Sequence, residues 1–359
     1  MPPSFVEENE NYEAWLHTQC DVVKKGLKAK HKRMASHAFD FLRATYFRWA
    51  SGIKSELPEL ADTPIAVSVG DLHAENYGTW RDVEGRWVWG VNDFDEAAEI
   101  PFAYDLARLA TSVALAPNSR VSDHNAAWFI LKGYRNGLSD PKPTLLEENQ
   151  TWMRRYLTST EKDLKDFWDD VEKWDEPPGA VPDKVEFGLR QALPDGAVIE
   201  QFKVRQTGGG SLGRPRYMAI ASWRGGRVVR EAKALVPSAW NWAHRNFGSP
   251  IRFDDLATGA HRSPDPYLRT RDRFVFRRVA ADSRKLDLEA DPKQEWDGQR
   301  LEAMGFDLAA IHAALVRQHE LRKALDALED DWLEKASKRA AEWLKRDFHE
   351  WKQHYKAEK

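Results

Sequence analysis

Cysteine is nearly absent: Cys20 stands alone in 359 residues, which excludes an internal disulfide framework and suits a reducing compartment. Long apolar runs are missing too. No stretch approaches the roughly 18 uncharged apolar residues that a membrane helix needs, and the opening "MPPSFVEENENYEAW" has neither the basic start nor the apolar centre of a secretory signal. The expectation is therefore a cytoplasmic protein with no membrane partner. A surplus of charge is also lacking. The 54 basic and 57 acidic residues are well mixed and sum to −3, so electrostatics make no case for nucleic acid or an anionic surface. Oligomeric state is not legible in the composition.

Tryptophan is in excess, with 16 copies. Most recur at amphipathic helical spacing, as in "WLEKASKRAAEWLKRDFHEW", a pattern of packing faces rather than of an aromatic binding surface. The length favours two lobes or one large body. Residues 12–49 carry apolar residues at three- and four-residue steps, and Ser51 and Gly52 mark the expected end of that helical preface. "IAVSV" and "RWVWGV" read as strands close enough in sequence to be partners in one small sheet, and "YDLARLATSVAL" reads as a helix. "DEPPGAVPD" interrupts a helical stretch and is followed by β-rich runs separated by glycines. Three parts are expected: residues 1–180, helical with two polar loops; 181–295, an antiparallel sheet; and 296–359, helices packed back on the first part. The fold class is α+β.

The polar loops carry the chemistry. "VGDLHAENYG" puts Asp71 and Asn76 five residues apart at a strand end, and "VNDFDEA" puts Asp93, Asp95 and Glu96 at the end of another. Asp and Asn also cap their own turns, which is the structural alternative. Mg²⁺ takes hard oxygen ligands and keeps open positions for water and phosphate, a demand that a carboxylate and a carboxamide meet. Protein kinases have the same five-residue interval from catalytic Asp to metal-binding Asn, with an Asp-Phe pair on a later strand; here Phe94 follows Asp93. His73 reads as a loop-stabilising residue, because no second His or Cys stands at ligand spacing. Downstream, "RQTGGGSLGRPRYMAIASWRGGRVVREAKAL" reads as strand, glycine turn, strand, hairpin and strand. Gly208, Gly209, Gly210, Ser211 and Gly213 there would let backbone N–H groups approach phosphates, and the ammonium of Lys233 would reach them from a strand.

With "PFAYDLARLA" after these loops, residues 70–107 resemble the aminoglycoside-phosphotransferase branch of kinase-like proteins. That resemblance implies that Asp71 is catalytic, that Asn76 and Asp93 hold Mg²⁺, and that Asp105 braces the catalytic loop from a helix. Asp95 and Glu96 would support a second metal or a cationic substrate. The glycine loop and strand lysine follow the catalytic loop here instead of preceding it, and "GFDLAAIHAAL" resembles a helix that precedes that loop in small-molecule kinases. The implied architecture is a circularly permuted, two-lobed kinase-like fold, an arrangement that exposed new termini tolerate. Over nearly its whole length the chain also resembles the bacterial "domain of unknown function 2252" family, through "HKRMASHAFDFLRATYFRW", "GDLHAENYGTW", "VNDFDEAAEIPFAYDLARLATS", "GGGSLGRPRYMAI" and "FVFRRVAADSRKLDL". That family often carries a Glu in the helix after the strand lysine, whereas the nearest acids here are Asp254 and Asp255; either Asp255 pairs with Lys233 through a shorter side chain or that ion pair is absent. The implied function is ATP- and Mg-dependent phosphoryl transfer. The short interval between "DFDE" and "YDLA" favours a small-molecule acceptor. Nucleotidyl transfer on the same fold, or a nucleotide-binding homologue without catalysis, are the alternatives.

Overall fold

The computed structural model describes residues 3–117, 119–157, 160–206, 209–283 and 298–357. Four helices open the chain: α1 (Phe5–Gln19), α2 (Lys24–Met34), α3 (Ala38–Ala44) and α4 (Tyr46–Glu56). Ser4 caps α1 by accepting from the Glu7 amide. Contrary to the expected stop at Ser51 and Gly52, α4 continues through both residues. A Cβ at Gly52 would lie 2.6 Å from the Trp343 ring, so this glycine permits close helix packing rather than ending a helix.

Four short strands follow, β1 (Ile65–Ser68), β2 (Tyr77–Arg81), β3 (Trp87–Val91) and β4 (Ala98–Pro101), before α5 (Phe102–Leu115), α6 (Asp123–Ser139), β5 (Thr144–Leu145) and α7 (Glu161–Lys173). β1 and β3 are not partners. β1 pairs antiparallel with β4, while β3 pairs with β2 and β5. The turn between Asp82 and Arg86 folds β3 back on its immediate predecessor, where Asp82 accepts from the Glu84 and Arg86 amides. That local closure leaves β1 to pair elsewhere.

Then come α8 (Asp183–Ala192), β6 (Val198–Val204), β7 (Arg216–Trp223), β8 (Gly226–Ala234), α9 (Ala239–Ala243), α10 (Phe253–Ala257), β9 (Arg269–Arg271) and β10 (Phe274–Val279). The chain closes with α11 (Gly298–His312), α12 (Gln318–Asp326) and α13 (Trp332–Ala357). The architecture is α+β. β6, β7, β8, β10 and β9 form one antiparallel sheet in that order.

Alternation along these strands gives the sheet two faces. Ala219, Ala232, Phe274 and Phe276 pack on one side against Val185, Leu189 and Ala192 of α8. On the other, Met218, Ile220 and Val229 meet Val171 and Trp174 at the end of α7. The same face also carries charged residues. Register sets Arg216 beside Lys233, and Glu231 beside Arg277, and these face the helical body. The body has one large core that joins Phe5, Trp49, Phe102, Leu308, Trp343 and Trp351, so the first and last helices of the chain share an interior. Leu235, Trp240, Phe253 and Leu256, which fall within the expected β-rich part, belong to that same core. Among the described residues no helix is long and apolar enough to cross a membrane.

Candidate functional site

The turn after β1 is held by buried hydrogen bonds. The amides of Val69 and Gly70 donate to the two carboxylate oxygens of Asp105 on α5, at 2.6 and 3.0 Å. Behind Asp105, His312 Nε2 lies 3.3 Å from the carboxylate, and its Nδ1 lies 2.9 Å from the Tyr134 hydroxyl. Gly70 adopts φ of 77°, and a Cβ there would strike the Glu96 carbonyl at 2.5 Å; only glycine takes this position without strain. The next residue, Asp71, accepts from Arg108 Nη2 at 2.5 Å, and the same guanidinium donates to the Leu42 carbonyl at 2.8 Å. Arg108 is fully buried and sits over the Tyr46 and Trp49 rings. Burial pushes the Asp71 carboxyl above its ordinary range, Arg108 pulls it down, and the nearby Asp93 charge adds to the rise.

Asn76 ties this loop to the second. Its Nδ2 donates to the carbonyls of Asp71 at 3.1 Å and Asp93 at 3.3 Å, and its own carbonyl accepts from the Asn92 amide. The side-chain oxygen is thereby left for another ligand. His73 is buried edge-on to Phe39. The following amide, of Ala74, donates to Ser112 Oγ, and Glu75 pairs with Arg43 at 2.6 Å.

The second loop meets the sheet. Lys233 Nζ lies 3.0 and 3.1 Å from the two Asp93 oxygens and 2.7 Å from Asp95. Arg214 lies 3.5 Å from Asp95 and 2.5 Å from Glu96, whose other oxygen accepts from the Ala239 amide at 2.6 Å. Burial pushes both Asp95 and Glu96 up, Asp93 adds to the rise for Asp95, and Lys233 and Arg214 oppose it. Lys233 and Arg214 thus offset the charge of these two acids, both of which line the cleft. Asp255 does not reach Lys233. It pairs with Arg252 at 3.0 Å, and Asp254 accepts from Thr270. The short helix α10 sets Asp255 on Arg252 and Asp254 on Thr270 of β9, and Asp93 and Asp95 are the carboxylates that hold the lysine.

Gly208 lies outside the described residues. Gly209 rests on Arg43, and Gly210 comes so close to the first loop that a Cβ there would lie 3.0 Å from both the Arg43 carbonyl and Asp71 Oδ2. Ser211 Oγ accepts from Arg216 at 3.0 Å, and the Gly213 carbonyl accepts from the Val23 amide at the start of α2. Asp71, Asn76, Asp93, Asp95 and the glycine loop thus converge on one cleft of about 610 Å³. Lys233 is only 2% exposed and sits behind Asp93 and Asp95, outside the open lining.

Sequence reasoning missed the arginines of this cleft. Arg216 and Arg277 flank Glu231 at 2.6 and 2.5 Å, and both line the open space with Arg205. The signal was the alternation of Glu231 and Lys233 in "REAKAL" beside the apolar Val229, Ala232 and Ala234, since charges on a buried strand face need partners. Among the described residues no cluster of three or more His, Cys, Asp or Glu is arranged to cage a metal. Mg²⁺ is commonly held by one or two carboxylates plus substrate phosphates, so the oxygens of Asp93 and Asn76 fit that ion without such a cage.

Residues 22–168 match a family described as an uncharacterised protein conserved in bacteria (DUF2252). The match includes Asp71, Asn76, Asp93 and Asp105 and ends before the sheet, so it covers less than half of the chain. No curated protein and no solved structure matches it.

Proposed function

We propose that this protein is an ATP- and Mg-dependent phosphotransferase of circularly permuted, two-lobed kinase-like fold, acting on a small-molecule acceptor. The observation that carries the reading is the 3.0 Å approach of Lys233 to Asp93, a residue that lines one cleft with Asp71 and Asn76. These groups lie far apart in sequence. Their meeting supports one reaction centre and is not expected of two separately capped turns.

On this reading Asp71 accepts the proton of the acceptor hydroxyl or holds that hydroxyl in line. Arg108 fixes the carboxylate's direction, while burial keeps it more basic than an ordinary aspartate. Asp93 and the Asn76 side-chain oxygen would hold Mg²⁺, which when bound neutralises charge on the transferring phosphate. Lys233 exchanges one partner, Asp93, for a phosphate oxygen and keeps the other, Asp95. The backbone at Gly209 and Gly210 covers Asp71 and gives a phosphate close access to amide donors.

The test uses ATP labelled at the γ- or the α-phosphate, Mg²⁺, and a panel of hydroxyl- and amine-bearing metabolites. Transfer of γ-label by the wild type, lost in Asp71→Asn, is the expected result. Transfer of α-label instead would replace phosphoryl by nucleotidyl transfer. Mg·ATP binding with neither label transferred would leave a nucleotide-binding protein without catalysis.

A further inference from the structure

The glycine loop and Lys233 do not account for the positive charge of the sheet. Arg205, Arg216 and Arg277 line the cleft from the end of β6, from β7 and from β10, and one carboxylate, Glu231, stands among them. Glu231 is completely buried, with Arg216 Nη1 on one oxygen and Arg277 Nε on the other. Burial alone would raise its pKa, yet Arg216 and Arg277 hold it far below the usual carboxylate range. It acts as a strut that fixes two guanidiniums in neighbouring strands. Ser211 of the glycine loop takes a further N–H of Arg216. A guanidinium carries more donors than these contacts use, in a rigid fork that matches phosphate oxygens. Arg205, beside them, has only Asp170 at 3.8 Å as an ion-pair partner among the described residues. Burial weakens its charged state, Glu231 and Asp170 favour it, and Arg216 and Arg277 oppose it.

We propose that Arg205, Arg216 and Arg277, braced by Glu231, form a binding subsite for a phosphate-like anion on the sheet wall of the cleft, distinct from Lys233. Arg277 feels the fields of Asp93 and Asp95, so the anion lies next to the second loop. Its chemistry is that of a phosphoryl group, belonging either to the nucleotide's own tail or to an acidic acceptor. The placement within the reaction cycle rests on the phosphotransferase reading; the anion site itself does not.

The experiment titrates inorganic pyrophosphate, without divalent metal, into the wild type, Arg277→Lys and Arg205→Gln, by calorimetry. Arg277→Lys keeps the charge and loses the fork, while Arg205→Gln removes a charge that makes no hydrogen bond to Glu231 and rests on the Trp174 ring. Wild-type binding weakened about tenfold or more in Arg277→Lys and several-fold in Arg205→Gln is expected. No binding to the wild type, or unchanged affinity in folded variants, overturns the subsite. Should Arg277→Lys fail to fold by circular dichroism, Arg205→Gln decides alone in the same two directions. Competition then separates the sources: exclusion of pyrophosphate by ATP assigns the anion to the nucleotide tail, and simultaneous binding assigns it to the acceptor. Failure of the phosphotransferase reading would show separately, as absent Mg·ATP binding with pyrophosphate binding intact.

Discussion

The two walls of the cleft are built from different interactions. On the helical side, backbone hydrogen bonds and one ion pair to a fully buried guanidinium, itself tied to the Leu42 carbonyl, fix the first loop: Val69 and Gly70 on Asp105, Asp71 on Arg108, and Asn76 on two carbonyls. On the sheet side the contacts are ion pairs, Glu231 with two arginines and Lys233 with two aspartates. Hydrogen bonds to fixed amides allow one geometry, whereas a guanidinium or ammonium can exchange one oxygen partner for another. The helical wall is therefore suited to holding an acid or base in place, and the sheet wall to accepting an anionic ligand by partner exchange.

The sharpest way to break that contrast is to remove the charge of Asp71. Asp71→Asn keeps size but leaves the fully buried Arg108 without its carboxylate, so phosphoryl transfer should fall by about a hundredfold or more with Mg·ATP affinity retained and a lowered melting temperature. Labelled-phosphate transfer beside calorimetry reads both. If the variant transferred phosphate at the wild-type rate, Asp71 would be a turn cap and the helical wall merely structural.

Asp105→Ala attacks the brace. It orphans two buried amides and a histidine contact, so unfolding free energy should drop by roughly 3 kcal/mol, measured by urea denaturation. A loss well under about 1 kcal/mol would mean that the first loop holds its shape without this carboxylate.

Glu231→Gln does the corresponding damage to the sheet, with an expected loss of about 2 kcal/mol near neutral pH. The sign of its pH dependence is fixed by the depressed pKa. The stability that ionised Glu231 contributes is fully present above the ordinary glutamate range and is lost as pH falls from that range toward the lower folded-state value. The difference between wild type and Glu231→Gln should therefore shrink in acid. A difference that stays constant from neutral to acidic pH would show that Glu231 acts by shape alone.

The helical wall was more legible than the sheet wall, for a physical reason. Asp71, Asn76 and Asp93 occupy two strand-end loops close together in sequence, and the resemblance of "PFAYDLARLA" pointed to Asp105 as the brace. The pairing of Lys233 depended on where a short helix points: α10 carries Asp255 away to Arg252, and Asp95 arrives from the loop after β3. No local pattern specifies that meeting. The same holds for β1, which reads correctly as a strand in "IAVSV" but finds its partner in β4 because the Asp82 turn closes β3 on β2. Gly52 misled for a related reason, since the Trp343 ring that requires it lies nearly 300 residues further along the chain.

The most direct measurement is Mg·ATP affinity by calorimetry in the wild type and in Asp93→Ala, each with and without Mg²⁺. Asp95 still pairs with Lys233 at 2.7 Å when Asp93 is gone, so the variant should melt close to the wild type. The phosphotransferase assignment predicts Mg-dependent ATP binding in the wild type and loss of that dependence in Asp93→Ala. No Mg-dependent binding in the wild type, or undiminished Mg·ATP affinity in a folded Asp93→Ala, would contradict it.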